Sequence, residues 1–421
     1  MSIAGVLNSQ LRSFRSVLAV RDYRKLWLAQ VVSTFGDRFT QLGLTTLTFA
    51  LTGADTSIGV VLSLTVLPQV IFSVPAGVVA DRVSRRRLLV TADLARAAIV
   101  LALALWIRLP IVAVYALTLA HASASTFFTP TRYAILPEIV GRDRLLDANA
   151  LDETSQSTID PLAYLVAGVL IAGAGLRFAF GVDALTFVVS ALLITTIIGS
   201  ERARNRHKAG IWPEDSQHGR EGASLLLHDA RAGFSFIWQN PVLRANTILL
   251  MLATLIASSE FPLSYMLVFS HWKRGAFGLG VMEAALAVGI ILGGLLCGWF
   301  VRLQGRGMSI IIGLLATGVC MAAIAVLPFA PAVLVMAVSG VFNMFFFVPT
   351  MTLQQDLAPS DIRGRVLSTR RWYTATTILA SYVLATVLVR SIAVQHVLLG
   401  LGIGLTVIAL GAMAFPVLRT R

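Results

Sequence analysis

The chain has 421 residues, 57% of them hydrophobic and 13% charged, with a mean hydropathy of +0.80 and a formal net charge of +13. Soluble domains carry about 25% charged residues, and their cores stop growing at roughly 250–300 residues. An apolar excess of this size therefore excludes a soluble globular protein and has to face lipid. The basic residues stand between long apolar runs rather than on one polar patch, which points to anionic lipid headgroups and away from nucleic acid.

In chain order, residues 1–25 are polar and basic, with no short apolar stretch before a small-residue cleavage site, so they read as a retained cytoplasmic tail. A spanning helix needs about 20 mostly apolar residues. Twelve segments qualify: 26–51, 57–80, 88–107, 110–130, 148–172, 177–199, 243–268, 277–300, 308–328, 330–351, 367–391 and 394–417. The polar interval 200–242 between the sixth and seventh reads as a cytoplasmic linker, with an amphipathic stretch at 225–240 lying on the membrane surface. The expected architecture is an all-α membrane protein with an N-terminal bundle over 26–199 and a C-terminal bundle over 243–421.

Charge sets the orientation. With the N-terminus inside, inner segments hold 27 of the 34 Lys and Arg residues and outer loops hold 5. The remaining two, Arg38 and Arg96, lie within spans. This bias places both termini in the cytoplasm of a bacterial-type inner membrane.

The halves look related. Phe127-Phe128-Thr129-Pro130-Thr131 returns as Phe346-Phe347-Val348-Pro349-Thr350 after 219 residues, and Glu138 and Asp143 answer to Asp356 and Asp361 after 218. Leu26 shifted by 219 falls on Ala245, at the start of span seven. Parallel repeats of six spans are a transporter pattern.

Ionisable residues inside spans are costly and are functional candidates. In span one, Gln30, Thr34, Asp37, Gln41, Thr45 and Thr48 fall within an arc of about 80° at ~100° per residue. Such a stripe belongs against water. Asp37 stands 11 residues into the span, roughly 16 Å deep at 1.5 Å per residue. A carboxylate there could bind and release a proton, or it could pair with neighbouring Arg38 or with Arg96 of span three. Asp93 and Arg96, three apart, can neutralise each other. Span five carries Glu153, Ser157, Asp160 and Tyr164 on one stripe, with Asp160 the deeper acid. Asp183 in span six and Glu260 in span seven are further cavity candidates, and span eleven aligns Arg370, Thr374, Thr377 and Ser381. Gly289-x-x-x-Gly293 and Gly294-x-x-x-Gly298 are helix-packing faces, and His121 reads as a packed polar residue. There is no nucleotide-phosphate loop, metal-ligand cluster or nucleophile elbow, so neither enzyme chemistry nor a cofactor is expected. Cys297 and Cys320 lie inside apolar segments and form no disulfide or zinc pattern.

The loop after span two reads Gly77-Val78-Val79-Ala80-Asp81-Arg82-Val83-Ser84-Arg85-Arg86-Arg87. It resembles the signature loop G-x-x-x-D-R-x-x-R-R of the major facilitator superfamily, and Gly298 to Arg306 is similar to its degenerate second copy. Asp22 to Gln30 with Ser33 to Asp37, Leu136 to Leu145, and Asp229 to Leu243 resemble the macrolide-efflux and enterobactin-exporter group of drug:proton antiporters. This resemblance implies two six-helix bundles, alternating access, a small-molecule substrate, protons as coupling ion, a monomer, and export of lipophilic drug-like compounds or a siderophore. It also implies that Gly77, Asp81, Arg82, Arg85 and Arg86 latch the halves on the inner side. Span five departs from the group: of its Gly-Pro and paired glycines only Pro161 and Gly168 remain, and span four lacks a buried arginine. Proton coupling therefore stays open. So do an uptake or lysophospholipid carrier, a lipid-acting enzyme and a non-transporting receptor or scaffold.

Overall fold

A backbone surrounded by lipid must satisfy its own polar groups, so apolar runs of this length form helices. In the computed structural model, residues 13–197, 234–357 and 363–413 are described, and among them there are helices and no strand. The linker and its expected amphipathic helix lie mostly outside the described residues, apart from helical residues 234–239.

The helices, in order, are α1 (Arg21–Thr52), α2 (Asp55–Arg82), α3 (Arg85–Leu105), α4 (Ile111–Val140), α5 (Leu145–Thr195), α6 (Pro241–Ala257), α7 (Glu260–Met266), α8 (Gly275–Gln304), α9 (Arg306–Val326), α10 (Phe329–Leu357), α11 (Arg363–Leu388) and α12 (Val394–Ala412). A π-helical turn, Leu267–His271, continues α7. Nine helical stretches among the described residues are long and apolar enough to cross a membrane. Helices α1 and α11 have the length, at 32 and 26 residues, but carry polar stripes.

Three boundaries differ from expectation. Spans five and six form one 51-residue run broken only at Gly175, whose φ of 84° an L side chain rarely adopts. Span four was expected to end at 130; α4 continues to Val140, through Pro130 and Pro137. Its loop arginine Arg132 is therefore a helix residue, 4% exposed. The seventh segment breaks at Ser258–Ser259 before Glu260 and Pro262.

The helices up to α5 and those from α6 onward form two sets. They meet through α5 against α8 and through α2 against α11. Both contacts depend on glycine. A Cβ on Gly280 would sit 2.6 Å from the Tyr164 carbonyl, and one on Gly168 would sit 2.8 Å from the Ala276 carbonyl. Gly59 lies against Thr386 and Met266. The Phe49 and Phe269 rings add a contact with centroids 5.2 Å apart. All these contacts lie at one end of the helices, here called the far end. At the opposite, basic end two ion pairs among the described residues each lie within one set: Arg85 to Glu138 at 2.5 Å, and Arg306 to Asp356 at 2.6 Å. In α8, Gly289 and Gly293 do pack against α10 backbone at Ala337 and Val341, whereas Gly294 meets nothing.

Candidate functional site

The site is built around two neighbours in α1, Asp37 and Arg38. Successive helical residues point about 100° apart, so the pair faces two different helices. Arg38 grips Asp160 of α5 with two parallel bonds, Nε to Oδ1 at 2.8 Å and Nη2 to Oδ2 at 2.9 Å. Its Nη1 donates to Gln41 at 3.0 Å and to the Tyr164 hydroxyl at 3.3 Å, while Tyr164 donates to Gln41 at 2.8 Å. The fork geometry of arginine suits this bidentate hold.

Asp37 faces α3. Its Oδ2 lies 3.6 Å from Arg96 Nη1, and Arg96 also pairs with Asp93 one turn below. Ser190 donates to Asp93 at 2.7 Å. The Arg96 guanidinium is stacked between Phe128 and Phe187, 4.5 and 4.3 Å from the ring centroids. Asp183 is wholly buried and accepts from Thr40 and from Thr186. It sits close behind α1 because Gly36 leaves room for Asp183 and Thr186.

Exposure separates the members of this cluster. The side chain of Asp37 is 32% accessible, against 3% for Arg96. Arg38 and Asp160 are 26% and 29% accessible although they are paired. Along α5 the stripe is graded: Glu153 and Ser157 are exposed, Asp160 is partly exposed, and Tyr164 is buried. Exposure on this face of α5 therefore falls from the basic end towards Tyr164, where α8 packs.

The other expected residues fall as follows. Gln30 donates to Thr34 at 2.8 Å, two turns nearer the basic end than Asp37. Glu260 stands apart from the α1 charges, in the second set, where Ser339 donates to it at 3.4 Å. His121 packs against Phe187 at 5.7 Å with no partner on Nε2. Arg85 pairs with Glu138 and also donates to the Ala134 carbonyl at 2.9 Å; Arg86 is partly exposed nearby. The side chains of Asp81 and Arg82 and the surroundings of Gly77 are outside what is described.

Two features were not singled out in the sequence. Glu283 of α8 is 5% exposed, one turn from the Gly280 contact, and the charges of Arg38, Glu260 and Asp160 act on it. The rule that flags any acid within a span would have found it. Arg132 pairs with Asp152 at 2.6 Å, both buried, and Tyr23 donates to Asp152 at 3.2 Å. No local pattern announces that pair, which spans 20 residues and two helices.

A helical membrane protein with paired charges on an internal space is the class these features define. The chain belongs to the major facilitator superfamily, whose family model matches residues 26–375. It is similar to macrolide efflux protein A of Streptococcus pyogenes, 24% identical over 353 residues, covering 82% of this chain and 83% of that one. It is also similar to the multidrug efflux pump Tap of Mycolicibacterium fortuitum, 28% identical with 72% and 73% covered, and to the enterobactin exporter EntS of Salmonella choleraesuis, 21% identical with 82% and 80% covered. Among solved structures, the nucleoside transporter NupG shares the fold with a TM-score of 0.72 at 15% identity, covering 94% of this chain and 98% of that one. The protein is thus a multi-pass membrane transporter of this superfamily with efflux relatives.

Breaking one partner of a buried ion pair costs about 3–5 kcal/mol, because the other charge is left without compensation. Arg132→Met should therefore lower the thermal unfolding midpoint in detergent markedly, and the added Asp152→Leu change should restore most of it. An unchanged midpoint in the single variant would contradict the pairing.

Proposed function

We propose that the protein is a secondary active transporter that exports lipophilic drug-like molecules or a siderophore by alternating access, coupled to protons. The reading is carried by the Asp37–Arg38 pair: two opposite charges on one helix, each held by a partner on another helix, each still reached by water in mid-span. A carboxylate in that position can exchange a proton when its arginine partner shifts, and α1 can move only by changing those partners. Macrolide, multidrug and enterobactin exporters among the relatives support the direction and the cargo.

The architecture in this reading is twelve spans in two six-helix bundles. The nine apolar stretches supply nine; the break at Gly175 divides α5 into two, and the polar α1 and α11 complete the number. A parallel pseudo-repeat is supported by two matched pairs of observations. Thr131 and Thr350 each bond to a phenylalanine carbonyl four residues back at 2.7 Å, and the Arg85–Glu138 and Arg306–Asp356 bridges occupy matching helix ends. The basic end faces the cytoplasm of a bacterial inner membrane in a monomer with both termini inside, in keeping with the arginine bias. The closed far end and graded α5 stripe then correspond to a cavity open to the cytoplasm. When the cavity opens outward, the Asp81 loop with Arg85 and Arg86 latches the cytoplasmic side.

Inverted vesicles with an acidified interior test this directly. Adding a macrolide, another lipophilic drug or a catecholate siderophore should dissipate the pH difference. Asp37→Asn and Asp81→Asn should each reduce that flux at least tenfold. Normal flux in Asp37→Asn would remove the proton route, and normal flux in Asp81→Asn would remove the latch. No cargo-dependent pH change with the unaltered protein would contradict proton-coupled export.

A further inference from the structure

Three arginines are buried among the described residues: Arg96, Arg132 and Arg370. The first two have carboxylates within ion-pair distance, Asp93 and Asp37 for Arg96 and Asp152 for Arg132. Arg370 of α11 has none among the described residues. It is 6% exposed and lies 5.4 Å from the Phe347 ring centroid, with Tyr373 one turn further on. An arginine keeps its charge, and burying that charge without a counter-ion costs several kcal/mol. A phenyl face offsets only part of it.

The polar groups nearby are also short of partners. Gln354 of α10 is 2% exposed and gives its amide hydrogen to the Tyr373 hydroxyl at 3.0 Å, leaving Oε1 unsatisfied. Thr247 of α6 is 3% exposed and lies beside Tyr373, yet its hydroxyl completes no bond of normal geometry. Thr374, on the Arg370 face of α11, has an unbonded hydroxyl as well. Buried hydroxyls and amides are nearly always bonded in folded proteins. Three helices therefore converge here with two spare hydroxyls, one spare amide oxygen and a positive charge that has no carboxylate within ion-pair distance among the described residues, a condition that neither Arg96 nor Arg132 of the first helix set shares.

We propose that Arg370, with the hydroxyls of Thr247 and Thr374, is a subsite for an acidic group on the transported molecule: a carboxylate, a phosphate or an acidic phenol. The guanidinium and the threonine hydroxyls supply donors, and Phe347 stacks on the arginine and holds its plane. The cargo class that follows is an amphipathic acid. The word cargo rests on the transport reading above; the binding itself does not.

The test is equilibrium binding to the purified full chain in phosphatidylcholine nanodiscs, with no transport required. The probes are dansylglycine and dansylglycinamide, which share one lipophilic body and differ in the carboxylate. A charge-assisted pair is worth about tenfold or more in affinity. The unaltered protein should bind the acid at least tenfold more tightly than the amide. Arg370→Gln should lose that preference while binding the amide as before, and Arg370→Lys should keep part of it. Equal affinities in the unaltered protein would overturn the proposal, and so would a preference that survives in Arg370→Gln. Discs containing phosphatidylglycerol should give the same affinities; loss of acid binding there would assign the arginine to a lipid headgroup and overturn the cargo assignment. Should Arg370→Gln fail to fold, the comparison in the unaltered protein and the lysine variant still decides. A protein that exports nothing yet prefers the acid would refute the export reading alone.

Discussion

A charge placed inside a helical assembly in lipid must find a partner or water, and α1 places two opposite charges there side by side. Because Asp37 and Arg38 point in different directions, they cannot simply neutralise each other. Each recruits its own helix: Arg96 on α3 for the acid, Asp160 on α5 for the base. The orientation of α1 in the first helix set follows from those two links. Glycine at position 36 then lets the helix bearing Asp183 pack close behind. The polar stripe of α1 is thereby turned to the internal space, where part of each charge still meets water.

The two helix sets treat their charges differently. In the first, Arg38, Arg96 and Arg132 all hold carboxylates. In the second, Arg370 has an aromatic face and, among the described residues, no acid in ion-pair distance, and Glu260 has a long contact to Ser339. Glu283 is buried with Tyr265 beside it. The packing at Gly168 and Gly280 joins the two sets at the far end, one turn from Glu283.

Much of this was readable in the sequence because hydropathy and helical period are local. Where they are described, the twelve apolar segments are largely helical, and the α1 stripe and the Asp93–Arg96 pair both need only residues a few places apart. What escaped was non-local. Arg132 reads as a loop charge, since a window that scores arginine as polar ends the span before it, and the helical period places Arg370 on the span-eleven stripe without its burial. Burial of Arg132 depends on Asp152 and Tyr23, from two other helices, and nothing near Arg132 predicts them. The Arg38–Asp160 link joins residues 122 apart, so the two stripes were visible separately but not their meeting. The break before α7 falls at Ser258 and Ser259, which interrupt a run of otherwise uniform hydropathy.

Gln41 lies one turn beyond Asp37 towards the far end, so water that reaches it from the basic end has passed the central charges. Labelling of Gln41→Cys, in a chain with Cys297 and Cys320 replaced by alanine, by a membrane-impermeant thiol reagent tests this access most directly. The account predicts that, without cargo, the cysteine reacts several-fold faster in inverted vesicles than in right-side-out ones. A cysteine unreactive from both faces, or faster from the outer face, would contradict it.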